Sequence, residues 1–129
     1  MSFSDYLENK ILAYTFSGTA FTPAATKYLA LYTVAPNDDG SGGTEVSTSG
    51  TGYARQTVAF TTTSSQSSNS AAVEYPTATA SYGTVVAVGV LDAATSGNLY
   101  AVGTLSVSKA ISTGDVFRVP AGDLDIDLT

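Results

Sequence analysis

Cysteine, histidine and tryptophan are all missing from this 129-residue sequence, and only 12% of its side chains are charged. The first two absences exclude disulfides, zinc and haem sites, thiol nucleophiles and the one side chain that titrates unperturbed near neutral pH. Positive charge is scarce as well: 5 Lys and Arg against 11 Asp and Glu give a formal charge of −6. That is too few cations to follow a phosphate backbone, so no nucleic-acid partner is expected. Nor does any apolar run approach the roughly 20 residues that span a bilayer, so no membrane partner is expected either. The opening MSFSDYLENK has neither the basic start nor the apolar stretch of a secretion signal, and synthesis in a cytoplasm is the expectation.

What is present points to β-structure. Hydrophobic residues make up 43%, enough to fold despite the net charge, and Ser plus Thr account for 35 of 129 residues beside 12 Gly and 8 Tyr. Such a mixture favours short strands joined by tight polar turns. A single β-rich domain over residues 1–129 is expected.

One helix is expected, within residues 1–18. Ser2 or Ser4 caps it, Asp5 and Glu8 sit at its positive end, Leu7, Ile11 and Tyr14 share a face, and Gly18 stops it. At about three turns it cannot hold itself helical in water, so that amphipathic face must lie on a sheet or a neighbouring subunit. Residues 27–33 (KYLALYT) alternate as a strand with both faces partly covered. Residues 35–52 form a Gly-rich irregular stretch of the length associated with functional or mobile loops. A strand is expected over 53–60, an exposed Ser/Thr loop or frayed edge over 61–70, and a short strand over 71–75. The apolar run 84–91 reads as the central strand, returning through the turn 92–98 into 99–107 as a hairpin. Residues 115–119 and 124–128 are expected to pair across Pro120-Ala121-Gly122. Six or seven strands with one helix predict a mainly β, antiparallel sandwich or partly open barrel. Neither repeats nor heptads are visible, which excludes a solenoid or coiled-coil shaft.

Motifs with chemical meaning are weak. Asp38, Asp39 and Glu45 gather around glycines, but their spacing does not match the twelve-residue calcium loop, so a solvated turn is the reading and no metal is expected. Asp123, Asp125 and Asp127 share one strand face, which suits a solvated edge. Ser106 and Lys109 reproduce the spacing of serine hydrolases with a lysine base, but at a strand end in a Ser-rich chain. Glu74 and Asp92 form a glycosidase pair only if the fold unites them. No catalytic residues and no cofactor are therefore expected. Tyr53 is read as either core or interface anchor, and Arg55 as a bridge to a carboxylate across a sheet or subunit boundary.

The sequence as a whole resembles a family of small tailed-bacteriophage virion proteins described as tail-fibre-like. The resemblance runs nearly end to end and is most particular at SFSDYLENK, at GTEVS and GYAR between Gly43 and Arg55, and at VLDAATSGNL between Val90 and Leu99. It implies a non-enzymatic structural protein located in the virion and bound to other phage structural proteins, the major capsid protein or tail proteins. Because a shaft needs repeats or heptads, capsid decoration is the expected role, with a tail-fibre or tail-tip adaptor as the alternative. The expected interface comprises Leu7, Ile11, Tyr14, Asp38, Asp39, Glu45, Tyr53 and Arg55. The helix face leaves apolar surface that self-association would bury, and the resemblance makes a ring of three the preferred homo-oligomer.

Overall fold

The computed structural model describes residues 1–128 of the chain. In order, its elements are β1 (Ser2–Phe3), α1 (Asp5–Ser17), β2 (Lys27–Val34), β3 (Thr44–Glu45), β4 (Gln56–Val58), β5 (Phe60–Thr63), β6 (Gln66–Asn69), β7 (Val73–Glu74), β8 (Gly83–Leu91), β9 (Leu99–Ile111), β10 (Arg118–Val119) and β11 (Asp125–Asp127). The main sheet runs β1-β9-β8-β2-β3, with β4 also on β2; β10 pairs β7, and β11-β6-β5 form a small third sheet. All pairings are antiparallel. The molecule is an open, mainly β sandwich with one short N-terminal helix, and no sheet closes into a barrel among the described residues.

The central hairpin follows from the apolar run. Leu29, Val90 and Ala101 lie side by side on one face of the sheet, while Ala30, Gly89 and Val102 lie side by side on the other. Both faces are buried, so β8 reads as continuous hydrophobics rather than as an alternation. The larger core lies under the first face, where Tyr53 and Tyr75 stack at 5.9 Å, Tyr82 meets Tyr53 edge-on at 5.7 Å, and Phe117 meets Tyr75 edge-on at 5.8 Å. Each of these tyrosines finds a partner for its hydroxyl, as a buried phenol requires. Tyr75 donates to the Leu29 carbonyl at 2.5 Å and Tyr82 to that of Pro76 at 3.0 Å.

Among the described residues eleven strands stand where six or seven were expected, many of them only two or three residues long, and three further expectations change. The Ser/Thr tract is not a loop but the hairpin β5–β6, turning at Ser64, whose φ is +59°. Threonine's β-branched stem suits a strand without any apolar alternation, and Thr62 and Ser67 bond across the pair at 2.9 Å. The last two strands do not pair with each other. β10 joins β7, and β11 joins β6, where Ser68 Oγ donates to Asp125 Oδ1 at 2.5 Å and Gln66 Nε2 to Asp127 Oδ1 at 2.8 Å. A neutral hydroxyl-rich strand is the neighbour that tolerates a row of carboxylates. Finally, residues 35–52 are anchored rather than free. Thr44 and Glu45 pair with β2, the Val46 amide donates to Leu31 O at 2.9 Å, and Thr51 is buried with its carbonyl accepting from Thr79 N.

The long strand β9 is irregular at its outer half. Its register against β8 passes from Lys109 opposite Val85 to Thr104 opposite Ala87, so residues 105–108 stand against Val86 alone and bow out of the sheet. Beyond Val102 no other strand covers its outer side among the described residues.

Candidate interface

Ser4 sets the position of α1. It is 1% exposed; its Oγ accepts from the Leu7 amide at 3.1 Å and donates to the Leu99 carbonyl, so one side chain caps the helix and fastens it to β9. The Asp5 amide donates to Asp38 O at 2.9 Å, docking the Gly-rich segment on the same helix end. At the other end Gly18 adopts φ +70° and its amide bonds back to Ala13 O. Tyr6 stacks on Tyr100 at 6.1 Å and meets Phe21 edge-on at 6.5 Å.

The predicted face is therefore seated only at its first residue. Leu7 packs on the chain's own core beside Tyr6. The next turns point away: Ile11, Leu12, Tyr14 and Phe16 are 37, 55, 60 and 80% exposed. Of the three helix residues named from the sequence, Leu7 is thus half-buried against the core, and Ile11 and Tyr14 are exposed. The two largest contributors besides Tyr14 were missed, although the run ILAYTF holds apolar side chains all round the helix, which no single seat can cover.

The other named residues separate into two groups. Asp38 and Asp39 are exposed. Asp39 Oδ1 accepts from the Ser41 amide at 2.8 Å and its hydroxyl at 2.5 Å, and these hydrogen bonds hold its carboxyl below the usual value. Glu45, Tyr53 and Arg55 form one network. Arg55 Nε and Nη2 donate to Glu45 Oε2 and Oε1 at 2.9 and 2.8 Å, in the two-pronged geometry that suits a guanidinium. Its Nη1 donates to the carbonyls of Ala93 and Ser96 at 2.8 and 2.7 Å, in the β8–β9 turn. Tyr53 donates to Glu45 Oε2 at 2.6 Å while its oxygen accepts from the Leu31 amide at 3.0 Å.

Burial pushes the Glu45 carboxyl up, but the hydrogen bonds from Arg55 and Tyr53, with the guanidinium charge, outweigh it and leave it below its ordinary value. Burial, then the bond to Glu45, push the Tyr53 phenol up. Tyr53 is only 3% exposed, so it is not a contact residue for a partner: its ring belongs to the core and its hydroxyl to the network. Arg55 bridges a carboxylate within the chain rather than across a subunit boundary.

The remaining motifs are dispersed. Glu74 lies opposite Arg118 on the β7–β10 pair, whereas Asp92 accepts from the Asn98 amide and side chain at 2.7 and 2.9 Å and shapes the β8–β9 turn. Ser106 and Lys109 stand exposed on the irregular half of β9.

A small, acidic, open β-sandwich with an apolar helix face turned to solvent has the make-up of a structural module that binds other macromolecules. The family described as Podophage GP4 fiber I protein gp80 matches residues 2–127, and the chain belongs to that family. No curated protein matches it.

Proposed function

We propose that the protein is a component of a tail fibre in a tailed-phage virion and that it assembles there through the exposed half of α1. The fibre family supports the tail over capsid decoration, the role the sequence favoured. The observation that carries the interface is the group Ile11, Leu12, Tyr14 and Phe16, left open on the later turns of a helix whose first turn is already seated. Large apolar side chains contribute about 1.5–3 kcal/mol each when fully buried. A second copy of the chain is the occupant, since closed cyclic symmetry buries such a group without running on into filaments. Three copies is the preferred ring.

Sedimentation at micromolar concentration tests this. The wild-type protein is expected to run as a multiple of 13.1 kDa. Leu12→Lys together with Phe16→Lys is expected to return it to the monomer mass with unchanged circular dichroism, because both side chains are exposed and Lys suits a helix C-terminal half. A wild-type monomer with an intact fold would refute the assembly reading.

A further inference from the structure

A cleft of about 430 Å³ opens between residues 36–43 and the turn 96–98, beside the Arg55 network. This size is within the range of small-molecule sites. Tyr32, on the sheet face opposite the main core, lines it. Its ring lies across Gly89, where any β-carbon would come within 2.9 Å of it. Tyr32 is only 7% exposed, yet its hydroxyl bonds to no group among the described residues, unlike those of Tyr53, Tyr75, Tyr82 and Tyr100. The hydroxyl is not sealed in, since no buried polar side-chain atom lacks a partner among the described residues. A nearly buried phenol left open to a cleft has a donor and an acceptor to offer a ligand.

The walls define the ligand class. Arg55 is spent on Glu45 and two carbonyls, so it offers no charge to an anion. Asp39, on the rim, is ionised with Oδ2 uncommitted and repels anions. Asn98, on the opposite wall, commits its amide nitrogen to Asp92 and leaves its oxygen as an acceptor. Tyr6, Leu91 and Leu99 add apolar surface for C–H groups. We propose that this cleft binds a neutral, hydroxyl-rich ligand, a sugar unit of a glycan, with the Tyr32 hydroxyl at its floor and Asp39 and Asn98 accepting from its hydroxyls. The assignment is independent of how the protein assembles.

Amide chemical shifts followed during titration with glucose, galactose, mannose and N-acetylglucosamine test it, on the wild-type protein and on the Leu12→Lys/Phe16→Lys variant. At least one neutral sugar is expected to give saturable millimolar shifts at residues 40–43 and 96–98 in both proteins, and glucuronic acid weaker ones. Tyr32→Phe keeps the ring and removes only the hydroxyl; it is expected to weaken binding roughly three- to tenfold. Asp39→Asn, at an exposed position, is expected to weaken it as well while leaving the rest of the spectrum in place. No saturable shift with any of the four sugars, tighter binding of glucuronic acid, or affinity unchanged by Tyr32→Phe would each overturn the assignment.

Discussion

Glu45→Ala is expected to lower stability by about 3 kcal/mol, no more than the lower end of the cost of removing one partner from a buried ion pair, because the Glu45 side chain is 27% exposed. The Arg55 side chain is only 8% exposed and would keep its charge without a counter-ion, while the Tyr53 hydroxyl would lose its acceptor. In a domain of this size the loss corresponds to roughly a 10 °C fall in melting temperature. Replacing both charges, Glu45→Leu with Arg55→Met, should cost less than Glu45→Ala alone, since it leaves no orphaned ion. Urea denaturation of the three proteins checks the order.

The same pair sets a pH dependence. The folded Glu45 carboxyl titrates below its ordinary value, so its contribution is complete above the unfolded carboxyl's pKa of about 4.3 and is lost as pH falls through the lower folded value. The stability gap between wild type and Glu45→Gln should therefore narrow between pH 5 and pH 2, roughly the range over which a depressed carboxyl gains its proton. A gap that stayed constant over that range would show that the carboxylate charge is not what Arg55 recognises.

Gly97→Ala is the second large effect, also about 3 kcal/mol, combining left-handed strain with a collision. Gly97 adopts φ +82°, and a β-carbon there would lie 2.5 Å from Asp92 Oδ1 and 2.7 Å from the Ala93 β-carbon. Asp92 cannot step aside without releasing Asn98, and displacing Ala93 or Ser96 pulls away the carbonyls that hold Arg55. The damage should thus reach the Glu45 pair. In a double-mutant comparison the costs of Gly97→Ala and Glu45→Ala should sum to more than the cost of both together. Simple additivity would separate the turn from the network.

The helix caps and the central hairpin were legible because their signals are local. Ser4 and Gly18 sit one residue outside the helix, and the Val90–Leu99 turn lies between two apolar runs. The partners of β10 and β11 were not legible, because Arg118 meets Glu74 and Asp125 meets Ser68 across long separations that no spacing encodes. The Ser/Thr hairpin escaped for another reason: a strand stabilised by hydroxyl pairs carries no hydrophobic period. Of the expected interface residues, Glu45 stands out in the sequence only as one of the Gly-rich loop's carboxylates and Arg55 only as a bridge to some carboxylate; the pairing of the two, in a network internal to the chain, is visible in the structure alone. Tyr32, the floor of the proposed sugar cleft, has no signal in the sequence, because its alternation with Leu31 is ordinary strand patterning. Only the free hydroxyl distinguishes it.

The bowed stretch of β9 at residues 105–108 limits how copies of the chain can grow into a larger object. A straight, uncovered edge strand is a template for backbone pairing with the next molecule, and that pairing has no natural end. Here three extra residues break the ladder, and Lys109 follows at once, so the edge offers no continuous row of amides and carbonyls. The self-association proposed above would then rest on side chains, whose geometry fixes a finite number of neighbours. This edge, at least, does not seed open-ended cross-β pairing when the chain is concentrated.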